Sequence, residues 1–78
     1  MYKVYIIYSN SLQKYYVGHS KDVEIRLSQH NSGKGNFTSK GIPWILINEI
    51  TGLSKGEAVR LETKIKKRGI ERFLDDRK

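Results

Sequence analysis

The chain has no cysteine, one proline, one methionine and one tryptophan among its 78 residues. Without cysteine there is no disulfide framework and no thiolate to act as nucleophile or metal ligand. Two histidines, His19 and His30, are too few for a structural zinc, which wants four nitrogen or sulfur ligands. No apolar run approaches the roughly 20 residues that span a bilayer. Met1-Tyr2-Lys3 leads straight into a strand pattern and not into a signal peptide. The expectation is a soluble, cytoplasmic chain with no membrane partner. Tyrosine is missing after Tyr16, so all five phenols crowd into the stretch from Tyr2 to Tyr16.

What is present is positive charge. Fifteen Lys and Arg stand against 8 Asp and Glu, for a formal net charge of +7. Such an excess on a small domain favours a polyanionic partner, with plain solubility as the alternative. The length suits one domain, residues 1–78, with a modest core and a shallow surface site in place of a large cavity.

The spacing predicts an α+β fold with a small three-stranded antiparallel sheet and flanking helices, in the order β-β-α-β-α plus a short C-terminal helix. Tyr2 to Tyr8 is apolar at nearly every position except Lys3, which predicts a central strand covered on both faces. After the polar break Ser9 to Gln13, Lys14 to Gly18 predicts an antiparallel second strand ending at Gly18. Pairing Tyr8 with Gln13 sets Tyr5 opposite Tyr16, on one face. This phenol cluster is either a wet sheet surface or the floor of a polar site. A helix capped by Ser20 or Asp22 runs to about Ser32. Its inner face carries Val23, Arg26, Leu27 and His30, and Glu24, Ser28 and Asn31 fall on the solvated side. Gly33 to Pro43 is a polar surface loop whose Lys34, Thr38 and Lys40 suit phosphate contact, or else a plain connector. Trp44 to Ile50 predicts a third strand inside the sheet layer. Ser54 and Glu57 fit a capping box for a helix that runs to Arg68, with Gly69 beyond it. Ile70, Phe73 and Leu74 predict a short helix folding back on the core, and Asp75 to Lys78 should fray.

Tyr5, Tyr16, Arg26, His30 and Glu62 together make a sensible set for phosphodiester cleavage. Arginine grips phosphate and neutralises charge in the transition state. A lone carboxylate anchors a hydrated magnesium. Cationic neighbours favour the phenolate form of tyrosine. Histidine transfers protons near neutral pH. Singly, each has a plain structural explanation, such as Glu62 pairing with Lys66 one turn on. The absence of paired carboxylates speaks against a two-metal nuclease and against a glycosidase.

Tyr5, the spacing to Tyr16 and the triplet Tyr16-Val17-Gly18 resemble the signature of the GIY-YIG nucleases. Val4-Tyr5-Ile6 is a degenerate first triplet. Arg26-Leu27-Ser28-Gln29-His30-Asn31 and Glu57-Ala58-Val59-Arg60-Leu61-Glu62 extend the likeness over nearly the whole chain. It is most similar to small stand-alone bacterial members, which share this domain with the nuclease subunit of excision repair. The resemblance implies a metal-dependent endonuclease acting on DNA, branched or damaged DNA among its candidates, in repair or processing. Tyr5 would help activate water, Tyr16 would order the site and contact phosphate, Arg26 would bind the scissile phosphate, and His30 would relay a proton or hold the phosphate. Glu62 would be the single protein ligand of one Mg²⁺ or Mn²⁺. Gly18 would let the backbone pass close to the helix start and, with Lys34, Thr38, Lys40, Lys66 and Lys67, meet nucleic acid. The sequence has Lys66, Lys67 and Arg68 where some members carry a further polar group. No appended DNA-recognition domain is seen, so a targeting protein or the substrate's own structure would direct cutting. The alternatives are a non-catalytic nucleic-acid-binding module, or an adaptor signalled by an apolar patch at Phe37, Trp44 or Phe73.

Overall fold

Residues with two covered faces build the centre of this molecule. In the computed structural model, which describes residues 1–33 and 38–77, the N-terminal run forms strand β1 (Tyr2–Ser9). Val4, Tyr5, Ile6 and Ile7 are all buried, because successive side chains point to opposite faces and both faces are covered. β2 (Lys14–Ser20) and β3 (Trp44–Leu53) pair antiparallel with it on either side, giving the order β2-β1-β3. Helix α1 (Val23–Asn31) covers one face. Tyr5, Ile7, Val23 and Trp44 form the core there, with Leu12, Tyr16 and Leu27 against it. Helices α2 (Lys55–Arg68) and α3 (Ile70–Asp76) cover the other face. Val4, Ile6, Val17, Ala58 and Ile65 form that core, flanked by Tyr2, Tyr15, Leu61, Phe73 and Leu74. The fold is α+β, with the expected order of elements. No helix among the described residues is long and apolar enough to cross a membrane.

Local chemistry sets the boundaries. Asp22 caps α1 by accepting from the backbone N–H of Ile25 at 3.1 Å. Ser54 and Glu57 close the capping box at α2, each side chain bonding the other's backbone N–H, at 3.1 and 2.8 Å. Gly69, at φ 94°, makes the corner between α2 and α3 in a backbone region closed to most residues. Arg68 then grips Asp76 with Nε and Nη2 at 2.9 and 3.1 Å, so α3 stays helical through Asp76.

Several expectations are corrected. The hairpin register is two residues off the expected one: Tyr8 faces Tyr15, Ile7 faces Tyr16 and Tyr5 faces Gly18. A two-residue shift preserves the face, so Tyr5 and Tyr16 still share a side, as diagonal neighbours. β2 continues past Gly18 to Ser20. β3 is an edge strand, longer than expected, and Ile45, Leu46 and Ile47 are exposed. Asn31 is half-buried instead of solvated. Its amide accepts from Trp44 N at 2.6 Å and donates to Trp44 O at 3.2 Å, tying the end of α1 to the start of β3. Trp44 is buried, and its indole donates to the Thr38 carbonyl at 2.7 Å, so it offers no apolar docking patch. Phe73 is half-buried against the α2 face, and Phe37 lies outside the described residues.

The energetic weight of the α2 face is testable. Ile65 is fully buried, and Ile65→Ala should cost about 2–5 kcal/mol in urea unfolding. Val59→Ala, on the exposed side of the same helix, should stay within about 0.5 kcal/mol.

Candidate active site

Strand order decides where this site lies. β2 is an edge strand, so side chains on the two faces of the sheet can meet around it. On the α1 face, the ring of Tyr5 lies across Gly18. A Cβ at Gly18 would stand 2.5 Å from Tyr5 Oη and 2.8 Å from Cζ, closer than side chains allow. Gly18 is thus buried beneath the phenol that its missing side chain accommodates. That is the physical reason for glycine here, and it removes Gly18 from the expected nucleic-acid contacts.

Tyr5 Oη lies 2.8 Å from His30 Nε2, and both residues are buried. The Tyr16 ring meets the His30 ring edge-on at 5.2 Å and the Trp44 indole at 6.2 Å. Arg26 lies one turn of α1 before His30. Its side chain is exposed, donates from Nη1 to Gln29 Oε1 at 3.2 Å, and acts by hydrogen bond and charge on the Tyr5 phenol beside it. Burial raises the Tyr5 phenol above its ordinary value, outweighing the hydrogen bond and charge of Arg26 that pull it down. The buried Tyr5 phenol therefore keeps its proton near neutral pH and can donate it. Burial, aided by the Arg26 charge, holds His30 below its ordinary value, so its imidazole is neutral near pH 7. A neutral His30 with its lone pair on Nε2 accepts the phenolic proton.

Glu62 reaches the same edge from α2, close enough for its charge to be felt at Tyr5. Its Oε1 is 2.6 Å from His19 Nδ1 and its Oε2 is 2.8 Å from Lys66 Nζ. Burial works to raise this carboxyl, but the hydrogen bonds and charges of Lys66 and His19 outweigh it, so Glu62 sits below the ordinary carboxylate value. An ionised, partly covered carboxylate at an open edge suits a hydrated Mg²⁺ or Mn²⁺, which keeps most of its waters. Among the described residues no group of three or more His, Asp or Glu is placed to hold a metal, so the donor set fits only such a water-rich ion.

The structure thus brings Tyr5, Tyr16, Arg26 and His30 together on one face and Glu62 beside them from the other. The expected phosphate contacts fare less evenly. Lys40 and Lys67 are exposed; Lys66 is exposed but paired with Glu62. Thr38 is 3 % exposed, and its hydroxyl is buried without a hydrogen-bond partner among the described residues, so it is packed away from any phosphate. Lys34 lies outside the described residues. Sequence reasoning missed His19. Continuing the strand alternation from Val17 past Gly18 places His19 on the α2 face, which was the available signal.

Two measurements check this geometry. In an NMR titration, the His30 imidazole should titrate below 6.5, and Arg26→Ala should move it upward while burial keeps it under that value. Because the folded value is depressed, the neutral His30 contributes stability that is present above the unfolded value and lost as pH falls through the folded one. Gly18→Ala should expel the Tyr5 phenol, break its bond with His30 and cost about 1–3 kcal/mol, read as a lower urea midpoint and a shifted His30 titration.

A family profile described as the GIY-YIG catalytic domain matches residues 1–70. A UPF0213 protein of Staphylococcus haemolyticus is 41% identical over 66 residues, covering 81% of this chain and 77% of that one. A UPF0213 protein of Staphylococcus epidermidis is 39% identical over 64 residues, with the same shares covered. One from Halobacterium salinarum is 37% identical over 67 residues, 85% of this chain and 86% of its own. No solved structure matches significantly. The tyrosine hairpin, the α1 arginine and histidine and the α2 glutamate lie within the matched span, and the chain belongs to the GIY-YIG catalytic-domain family, a family of nuclease type.

Proposed function

We propose that this chain is a metal-dependent endonuclease domain that hydrolyses DNA phosphodiester bonds, as a single domain working in the cytoplasm. One observation carries the reading: Tyr5 and His30 share a 2.8 Å hydrogen bond beside an exposed Arg26, with the Glu62 charge close enough to act on the same phenol.

Each side chain has a task in this reading. Arg26, open to solvent, takes the non-bridging oxygens of the scissile phosphate and offsets the charge that develops there. Tyr16, wedged between His30 and Trp44, is fixed in place and orders the phosphate's approach. Tyr5 and His30 move the proton. Neutral His30 takes the phenolic proton at Nε2 while Tyr5 Oη accepts one from the attacking water, so no free phenolate needs to exist in the buried site. Glu62 would hold Mg²⁺ or Mn²⁺, which when bound supplies Lewis-acid stabilisation of charge on the phosphate and its leaving oxygen. Lys40 and Lys67 give sequence-independent grip on the backbone, so discrimination comes from the shape of the DNA or from a targeting protein. Branched or damaged DNA is the substrate class that such shape-reading favours, and repair or processing is the setting.

A second reading has one observation in its favour. Both oxygens of Glu62 are already engaged, by Lys66 and His19, as they would be in a nucleic-acid-binding module without catalysis.

Plain, nicked and branched DNA, and a matched RNA, should be incubated with the protein and Mg²⁺ or Mn²⁺. Cleavage of at least one DNA is expected, with Glu62→Ala and Arg26→Ala each slower by about 100-fold or more. Salt-sensitive binding without cleavage of any substrate, or full cleavage by Glu62→Ala, decides for the second reading.

A further inference from the structure

We propose that His19 is a second protein ligand to the divalent cation at Glu62, binding through Nδ1 and biasing the site toward Mn²⁺ over Mg²⁺. The inference rests on the reading of Glu62 as a metal ligand and extends it to a residue outside the tyrosine and arginine set.

The geometry starts from the length of β2. Because the strand runs on to Ser20, His19 alternates onto the α2 face beside Val17, opposite to Tyr16 and Gly18. There its ring leans on Tyr2, with centroids 6.2 Å apart and planes at 52°. That contact leaves Nδ1 directed at Glu62, 2.6 Å from Oε1. Two donors at right angles around a first-row divalent ion, each at ~2.1 Å, stand about 3 Å apart. The nitrogen and oxygen therefore need to separate by only about half an ångström to admit an ion between them. The site is open to one, since the His19 side chain is 30% exposed and Glu62 18%.

The two carboxylate oxygens are also divided between different partners. Lys66 holds Oε2 at 2.8 Å, and Oε1 is left to His19. An ion on Oε1 can displace the hydrogen bond from His19 without displacing the ammonium. The ring then carries its proton on Nε2 and turns the Nδ1 lone pair to the cation. His30 is not the competing ligand in this geometry, because its Nε2 is committed to Tyr5. Mn²⁺ shares the preference of Mg²⁺ for oxygen ligands and stands lowest in the first-row order of affinity for nitrogen, but Mg²⁺ demands a stricter geometry and dehydrates more reluctantly, so an imidazole in the shell costs Mg²⁺ more. A nitrogen–oxygen pair at this edge consequently discriminates between the two ions that the resemblance leaves equivalent.

The test is Mn²⁺ binding by EPR, with nitrogen coupling read by electron spin echo modulation, on the wild type, His19→Gln, His19→Ala and Glu62→Ala. Gln keeps an N–H to orient Glu62 but supplies no ring nitrogen, which separates ligation from positioning. Circular dichroism confirms that each variant is folded. The wild type should show one bound Mn²⁺ with directly coordinated ¹⁴N. Both His19 variants should lose that coupling and bind Mn²⁺ about tenfold or more weakly, with Mg²⁺ affinity changed less than about twofold. Mn²⁺ bound at Glu62 without nitrogen coupling, or coupling that survives in His19→Gln, overturns the inference and leaves the Glu62 reading intact. Mn²⁺ binding that survives in Glu62→Ala overturns both.

Discussion

The Tyr5 ring resting on Gly18 is the contact from which the geometry of the site follows. A side chain at Gly18 would occupy the space of the phenol, as its 2.5 Å approach to Oη shows. With glycine there, the phenol crosses β2 and meets His30 at 2.8 Å. That bond aligns α1 over the hairpin and fixes how Arg26, four residues before His30, is presented. The same contact buries the phenol and the imidazole together, and burial is the leading cause of both pKa shifts. Packing and chemistry therefore share one interaction. A substitution that relaxes it changes the fold of the hairpin and the proton inventory of the site at once.

The edge position of β2 explains how a chain this small assembles groups from two separate cores. The α1 face supplies Tyr5, Tyr16, Arg26 and His30, and the α2 face supplies Glu62, His19 and Lys66. In a wider sheet these faces would be separated by further strands. Here the sheet ends at β2, and Glu62 on the α2 side is among the charges that act on Tyr5. Burying β1 on both faces has the same consequence from the other side. It secures the strand that holds Tyr5 while leaving the β2 margin open to a large, charged partner.

Local rules carried most of the fold. The capping box at Ser54 and Glu57, the Asp22 cap, the Gly69 corner and the alternation in β1 all depend on neighbours within a few residues, and each was readable. The site set was readable in part for the same reason: Arg26 and His30 share a helix face, and a two-residue register change left Tyr5 and Tyr16 on one side of the sheet. What was not readable depends on tertiary placement. An apolar run such as Ile45-Leu46-Ile47 reads as a covered strand, but coverage depends on where the helices lie, and at the β3 edge they leave it exposed. Thr38 reads as a loop hydroxyl until the Trp44 indole draws its carbonyl inward. Asn31 reads as solvated until β3 brings a backbone to its amide. His19 was hidden by ending β2 at its glycine, where strand propensity is low but pairing with β1 continues.

The protonation states of the site form one consistent arrangement near neutral pH. Burial keeps the Tyr5 phenol protonated and His30 neutral, whereas Lys66 and His19 keep Glu62 ionised against the pull of its own burial. A neutral donor, a neutral acceptor and an ionised carboxylate thus stand ready before the reaction begins. Arg26 acts on two of the three, lowering the phenol and the imidazole together. A phosphate that engages Arg26 partly neutralises its charge, and both groups then rise. His30 becomes a better proton acceptor as the phenol becomes a weaker acid, so the effects oppose each other across the hydrogen bond. A bound phosphate thus makes the imidazole more basic and the phenol less acidic at the same time. An arginine placed on the far side of either group would act on one alone. Its position one turn before His30, within reach of the Tyr5 phenol, makes the pair respond together.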